Sequence, residues 1–130
     1  MKAGIIGAGR MGKILAERLA TQHEVFIYDA DPAVAEASAQ ALGLRASTDL
    51  AGKAADTLVL AVPDAAVKPC IEMLLVQQTT AMVFSVATNI SREMLAEMAG
   101  ASLRALNVKI IGHAGEMGRG FAVVASEVKT

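Results

Sequence analysis

The chain has 130 residues, the size of one domain, and its composition limits the kind of domain it can be. Hydrophobic residues make up 54% of it and aromatic residues only 3%, so small aliphatic side chains must form the core, as in helices packed on a parallel sheet. Its 12 basic and 13 acidic residues give a net charge of -1 without a basic stripe. We therefore expect no nucleic-acid partner.

Cysteine content and hydropathy bear on metal binding and location. Cys70 is the only cysteine, so we expect neither a disulfide framework nor a cysteine-based metal site, and we predict no bound metal. No apolar run approaches the roughly 18 residues that span a membrane. Gly7, Gly9 and Arg10 interrupt the apolar N-terminus too early for a secretory signal. These features predict a cytoplasmic protein that binds no membrane.

Apolar runs alternate with helical patterns along the chain. Strands are predicted at 2–6, 24–28, 57–62, 81–86 and 103–111, with a sixth at 121–125. Helices are predicted at 10–22, 32–42, 69–76 and 92–99, with single turns at 49–53 and after Asp64. Asp31, Pro32 and Gly43 are the expected N-cap, first residue and stop of the second helix, and Ser91 caps the fourth.

Alternating strands and helices predict parallel strands joined by right-handed crossovers. The fold class is therefore α/β: a Rossmann-type, doubly wound, mainly parallel sheet in a single domain. We expect this domain to cover residues 1–112 and the remaining 113–130 to form a glycine-rich turn and an edge strand.

A glycine-rich turn follows the first predicted strand. Its sequence is Gly7-Ala8-Gly9-Arg10-Met11-Gly12, which fits G-x-G-x-x-G. The pattern is weak alone, but here a strand precedes it and a helix follows it, as in dinucleotide-binding domains. Gly7 would permit the tight turn, Gly9 the close approach of a pyrophosphate, and Gly12 the packing of helix on sheet. The helix N-terminus would offer free N–H groups to the phosphates.

Asp29 ends the second predicted strand, 22 residues after Gly7. A carboxylate at this position accepts hydrogen bonds from the adenosine ribose and repels a 2′-phosphate, so we predict NAD, with NADP as the alternative. Asp31, directly before Pro32, is better placed to cap the next helix. Arg10 keeps the alternative open, because a guanidinium beside the turn could bind a phosphate.

Two further segments should lie at the same rim, because ligands bind beyond the carboxyl ends of the strands. They are Ala61-Val62-Pro63 and Ser85-Val86-Ala87. Their small residues suit the close approach of a flat ring, although ordinary loop chemistry explains each of them equally well.

These motifs together resemble a known superfamily. The residues that carry the resemblance are Ile5-Ile6-Gly7-Ala8-Gly9-Arg10-Met11-Gly12, Tyr28-Asp29, Leu60-Ala61-Val62-Pro63 and Ser85-Val86-Ala87. They look like the N-terminal domain shared by 6-phosphogluconate dehydrogenase, 3-hydroxyisobutyrate dehydrogenase, pyrroline-5-carboxylate reductase and the deazaflavin-dependent NADP reductases. The resemblance implies hydride transfer, with the nicotinamide near Val62-Pro63 and Ser85–Ala87.

Enzymes of this superfamily also carry a helical C-terminal domain that completes the substrate pocket. The chain is thus expected to be either part of a longer enzyme or a stand-alone module. The catalytic lysine of the hydroxyacid dehydrogenases has no counterpart here that can be assigned. Lys109 and His113 are expected near the far end of the fifth strand, where His113 could transfer a proton or be a surface or capping residue.

The tail from 113 to 130 locally resembles the cytoplasmic hairpin tip of bacterial chemoreceptors, chiefly in Gly115-Glu116 and Gly118-Arg119-Gly120-Phe121. That module needs long heptad helices, which Ile110-Ile111-Gly112 interrupts. A glycine-rich turn feeding an edge strand is therefore the preferred interpretation, and an exposed edge would allow a homodimer.

Three functions follow as hypotheses, of which a signalling protein, suggested only by the tail, ranks last. The first is an NAD(P)-dependent oxidoreductase, or its cofactor-binding domain, acting on a small carbonyl, hydroxy acid or imine. The alternative is a non-catalytic NAD(H)-binding regulatory module of the kind that potassium channels and transporters carry.

Overall fold

A computed structural model describes residues 2–48, 55–111 and 122–127. The strands are β1 (Lys2–Ile6), β2 (Glu24–Tyr28), β3 (Arg45–Ala46), β4 (Thr57–Leu60), β5 (Met82–Ser85), β6 (Ala105–Ile111) and β7 (Ala122–Glu127). The helices are α1 (Arg10–Leu19), α2 (Pro32–Leu42), α3 (Asp64–Val76) and α4 (Arg92–Ala99).

All seven strands form one sheet in the order β3-β2-β1-β4-β5-β6-β7. Strands β1 to β6 are parallel, and β7 lies antiparallel to β6 at the edge of the sheet. The chain moves outward from β1 through β2 to β3, then returns to the other side of β1 and moves outward again from β4. This reversal between β1 and β4 confirms the predicted Rossmann-type, doubly wound fold.

Each face of the sheet carries its own apolar core. On one face Ile6 and Leu60 pack with Val67 and Ile71 of α3 and with Leu95 of α4; we call this the α3/α4 core. Burial of each such side chain stabilises the fold by about 1.5–3 kcal/mol relative to its exposure to water.

The opposite face carries the α1/α2 core. There Ile5 and Ile27 pack with Leu15 of α1 and Ala39 of α2. Because successive residues of a strand point to opposite faces, β1 contributes Ile5 to this core and Ile6 to the other. The two cores therefore share the central strands.

The residues predicted to begin and end α2 do so in the structure. The Asp31 carboxylate accepts a hydrogen bond from the Ala33 N–H at 3.0 Å, and Pro32 is the first helical residue. Gly43 ends the helix at φ +69°, a conformation that favours glycine. At α4 the Ser91 hydroxyl oxygen accepts from the Met94 N–H at 3.1 Å, which confirms Ser91 as a cap.

The prediction for α3 was wrong at its beginning. The helix begins at Asp64 rather than at Pro69, and Pro69 lies inside it. Proline removes a helical hydrogen bond and is unfavourable in a helix interior. Here Val67, Ile71 and Leu74 are fully buried on one face, so tertiary packing holds the helix through the proline, which lies on the exposed side.

Some predictions fall outside the described residues. These are the turn at 49–53 and the stretch from 112 to 121. That stretch contains His113, the residues from Gly115 to Phe121 that carry the resemblance to chemoreceptors, and the second glycine-rich turn, which was predicted in the tail. The division of the chain at residue 112 stays a prediction. Among the described helices, none is long and apolar enough to cross a membrane.

Candidate dinucleotide site at the sheet switch point

The glycine-rich turn leaves β1 at the point where the strand order reverses. The Gly7 N–H donates to the Tyr28 carbonyl oxygen of β2 at 2.8 Å, which holds the turn against β2. On its other side, the Ala61 N–H donates to the Ile6 carbonyl oxygen at 2.8 Å, which holds the loop after β4 against the end of β1. The turn therefore lies between two strand ends, at the rim where doubly wound sheets bind ligands.

The three glycines of the turn differ in what a side chain would meet. Gly7 has φ +109°, and a Cβ there would overlap the Ala61 carbonyl oxygen. A Cβ at Gly12 would overlap the Gly7 carbonyl oxygen, so this glycine allows α1 to pack on the turn. Gly9 has φ -77°, which any residue adopts, and a Cβ there would have no atom within 4 Å. Local structure thus requires Gly7 and Gly12, whereas Gly9 borders open space.

The N-terminus of α1 offers hydrogen-bond donors to that open space. Gly9 is the N-cap and supplies no side-chain hydrogen bond, and the first turn contains no acidic residue. The first helical hydrogen bond runs from the Lys13 N–H to the Gly9 carbonyl oxygen at 3.0 Å. The three preceding N–H groups, of residues 10–12, therefore have no partner within the helix. With the helix dipole they favour an anion at this position.

The side chains around the turn are arranged as follows. Ala8 is buried in the α1/α2 core, Met11 packs against that core, and Arg10 is exposed at the first residue of α1.

Asp29 lies directly beside the turn. Its Oδ2 accepts a hydrogen bond from the Ala8 N–H at 2.9 Å, and its Oδ1 accepts from the Asp31 N–H at 2.9 Å. Asp31 caps α2, so the two aspartates have separate partners, as their spacing from Pro32 predicts. Both Asp29 oxygens are held by backbone donors, which fixes the carboxylate at the end of β2.

The loops after β4 and β5 complete the rim. The loop after β4 contacts the glycine-rich turn directly, because the space beside Gly7 is filled by Ala61 and by Val62. The Val86 N–H donates to the Leu60 carbonyl oxygen at 3.2 Å, which joins the loop after β5 to the end of β4. Pro63 is exposed as the N-cap of α3. The structure therefore brings the predicted segments 7–12, 61–63 and 85–87 to one edge of the sheet.

Ser85 and Ala87 differ from a typical exposed loop. The Ser85 side chain is 1% exposed, and its Oγ accepts from the Ala87 N–H at 3.4 Å. Ala87 is buried in the α3/α4 core. These two residues shape the loop backbone, and they do not present polar groups to solvent.

Two residues that matter for this region were missed in the sequence. Asn107 of β6 donates from Nδ2 to the Ile90 carbonyl oxygen at 2.8 Å. Gly4 lies inside β1, where a Cβ would overlap the Phe26 ring and come within 2.8 Å of Leu58 Cδ2. The available signals were a polar residue inside an apolar strand and a glycine inside a buried one.

Cys70 and His23 lie elsewhere in the fold. Cys70 packs from α3 against the α3/α4 core, and burial raises the pKa of its thiol, which keeps it protonated at neutral pH. His23 precedes β2 at the opposite rim, and its buried Nδ1 has no hydrogen-bond partner among the described residues. Within 2–48, 55–111 and 122–127, no group of three His, Cys, Asp or Glu side chains could hold a metal ion.

A doubly wound sheet with a glycine-rich turn and an uncapped helix at its switch point defines a Rossmann-type dinucleotide-binding domain. The sequence profile of a family described as "NADP oxidoreductase coenzyme F420-dependent" matches residues 2–102. The chain belongs to this family. That membership favours an oxidoreductase over the regulatory module.

Solved structures share the fold at low sequence identity. A pyrroline-5-carboxylate reductase from Coxiella burnetii superposes with a TM-score of 0.77 at 20% identity, over 98% of this chain and 50% of its own. A Plasmodium falciparum pyrroline carboxylate reductase with NADP bound gives 0.75 at 16% identity, over 98% and 47%. An imine reductase variant from Myxococcus stipitatus, in complex with NAD+, gives 0.73 at 19% identity, over 95% and 46%.

The chain spans about half the length of these structures. No curated protein sequence matches it.

Proposed function

We propose that this chain binds NAD(H) at the glycine-rich turn and forms the cofactor-binding part of an oxidoreductase. The nicotinamide ring, when bound, accepts or donates a hydride. The protein binds the pyrophosphate at residues 7–12, the adenosine ribose at Asp29, and the nicotinamide beside residues 61–63 and 85–87.

The observation that carries the proposal is the open space at Gly9. Local packing requires Gly7 and Gly12 but not Gly9. Gly9 is the N-cap that directly precedes the three N–H groups without a partner inside α1. A diphosphate in this space would accept hydrogen bonds from those groups and supply the cap that α1 lacks.

The preference for NAD over NADP is supported by charge. Asp29 and Asp31 follow β2, Glu36 lies in the next helix, and no Lys or Arg occurs between Arg18 and Arg45. Within this segment a 2′-phosphate beside Asp29 would meet a fixed carboxylate and no cation, whereas a ribose hydroxyl would donate to the carboxylate. The cation beside the turn is Arg10, which lies in the segment proposed for the pyrophosphate. The family description names NADP, and the affinities for NADH and NADPH therefore have to be measured side by side.

The substrate class is proposed from similarity alone. The structures that resemble this chain include a pyrroline-5-carboxylate reductase and an imine reductase, and the family is one of oxidoreductases. We propose a small carbonyl compound, hydroxy acid or imine as substrate. We propose His113 as the proton donor because a histidine can transfer a proton near neutral pH and His113 follows β6 in the sequence.

The test is a double comparison of Gly9→Val with Gly43→Ala, measured by calorimetric titration with NADH and NADPH. A Cβ at Gly9 meets no atom within 4 Å, and its φ of -77° is one that any residue adopts. The thermal midpoint of Gly9→Val should therefore hold, while its NADH affinity falls by at least about tenfold. Alanine at Gly43 is strained at φ +69° and should cost roughly 1 kcal/mol of stability, with unchanged NADH affinity. Wild-type protein that binds neither dinucleotide would refute the proposed function.

A further inference from the structure

The β5–α4 loop (residues 86–91) is held at both ends by side-chain hydrogen bonds. At its beginning the Ser85 Oγ accepts from the Ala87 N–H at 3.4 Å. At its end the Ser91 Oγ accepts from the Met94 N–H at 3.1 Å and starts α4. Between them Thr88 and Asn89 form an exposed turn. The loop therefore has fixed ends and an exposed tip at the rim that carries the glycine-rich turn.

A third bond reaches the loop from another strand. Asn107 is in register with Ser85 across the β5–β6 pair, so the two polar residues are neighbours at the same level of the sheet. The Asn107 Nδ2 donates to the Ile90 carbonyl oxygen at 2.8 Å across 17 residues of sequence. Ile90 is itself buried in the α3/α4 core.

An asparagine in this strand has a cost unless its amide is paired. Its neighbours Leu106 and Val108 are apolar, and the Asn107 side chain is half-buried. Removing an amide from water without a new hydrogen-bond partner is unfavourable. An aliphatic residue would pack here without this cost, so the hydrogen bond to the loop is the feature that explains asparagine.

We propose that Asn107 is a positioning residue for the nicotinamide end of the cofactor. It acts through the β5–α4 loop, which it holds in one conformation before the cofactor binds. This inference rests on the proposed function, which puts the nicotinamide beside residues 85–87. A loop that is already ordered loses less conformational freedom on binding, so the bond to Ile90 strengthens binding of the ring without contacting it.

The test separates the two ends of the cofactor. NADH and ADP-ribose share the adenosine and pyrophosphate, but only NADH has the nicotinamide. Asn107→Leu removes the donor, and Asn107→Asp removes it in a side chain of the same shape. In either variant we expect the Kd of NADH to rise about three- to tenfold and the Kd of ADP-ribose to stay unchanged. The emission of bound NADH should shift toward that of free NADH, because the ring is held less firmly.

Thr79→Ala is the matched control. The Thr79 Oγ accepts from the Ala81 N–H at 3.3 Å before β5, at the opposite rim. This variant also loses one bond to the backbone, and both ligands should bind it as they bind the wild type.

The outcomes distinguish the two proposals. Unchanged NADH affinity and emission in both Asn107 variants would overturn the positioning role, and so would an equal loss for NADH and ADP-ribose, which indicates general destabilisation. Wild-type protein that binds neither ligand would instead overturn the proposed function on which the role depends.

Discussion

At the scale of single residues, Asp29 combines a local structural role with the proposed choice of cofactor. Its carboxylate accepts from the Ala8 N–H of the turn and from the Asp31 N–H at the start of α2. We predict that Asp29→Asn, which can accept through only one oxygen, lowers stability by about 1–2 kcal/mol. NADH affinity should fall, while NADPH affinity should hold or rise, because the repelling charge is gone. Calorimetric titration of both dinucleotides measures the change in their ratio.

Asp31→Asn is the control for this prediction. Asn is as good an N-cap as Asp, so α2 should keep its cap, and the chain loses the same unit of charge two residues away. If Asp31→Asn changed the ratio of NADH to NADPH affinity as much as Asp29→Asn does, the preference would come from net charge and not from the Asp29 carboxylate.

The residues that the sequence predicted well are those whose roles depend on near neighbours. The positive φ of Gly7, the packing of Gly12 on the turn, and the roles of Asp31 and Gly43 at the ends of α2 each depend on one turn or one helix end, which short patterns describe. The part played by Gly4 depends instead on the Phe26 ring of the neighbouring strand, with which it is in register. No local pattern encodes a contact across 22 residues.

Asn107 and Asp29 also take part in contacts between residues that are far apart in the sequence, which local patterns do not predict. Asn107 donates a hydrogen bond to the carbonyl oxygen of Ile90, 17 residues earlier. Asp29 accepts one from the N–H of Ala8, 21 residues earlier. Spacing predicted that Asp29 would reach the rim. It did not predict that both carboxylate oxygens would be occupied by backbone donors, because that depends on how closely the ends of β1 and β2 approach.

At the scale of elements, α3 shows packing overriding local preference. Pro69 removes one helical N–H, yet the helix continues because Val67, Ile71 and Leu74 are fully buried on one face. We predict that Pro69→Ala, at this exposed position, raises stability by about 1–3 kcal/mol, since it restores a hydrogen bond and the intrinsic preference for helix. Urea denaturation at constant m-value measures the gain.

The control for Pro69→Ala is Lys68→Ala, an exposed helical substitution next to it that changes no backbone donor. It should alter stability by no more than about 0.5 kcal/mol. A loss of stability in Pro69→Ala would mean that the proline fits a bend on which the packing of α3 depends. In that case the predicted beginning at Pro69 marks a real discontinuity within the helix.

The short strand β3 is the element that the sequence did not predict. It has two residues, Arg45 and Ala46, both exposed, and it pairs with Phe26 and Ile27 of β2. Periodicity needs four or more residues to distinguish strand from loop. The strand forms because β2 has an edge that does not pair with β1, and the segment that follows α2 pairs with the backbone of that edge.

At the scale of the whole molecule, the fold has two halves, one built on the α1/α2 core and the other on the α3/α4 core. The glycine-rich turn contacts both of them. The α1/α2 core lies on one face and the α3/α4 core on the other, and both include residues of β1 and β4. The turn is bonded to β2 on one side and packs on Ala61 after β4 on the other. A dinucleotide across this rim would contact residues from both halves, at Asp29 and at residues 61–63 and 85–87.

We therefore predict a single cooperative thermal transition that NADH moves as a whole. At a free concentration of about 100 times Kd, NADH should add about 2.7 kcal/mol of stability, a rise of roughly 10 °C for a domain of this size. At the same NADH concentration, Gly9→Val should show the same single transition with about half of that rise or less, because a tenfold weaker affinity leaves about 1.4 kcal/mol of stabilisation while both cores stay intact. Differential scanning calorimetry measures both quantities. Two transitions, of which NADH moved only one, would show that the halves unfold independently and that the ligand contacts one of them, contrary to a site built across β1 and β4.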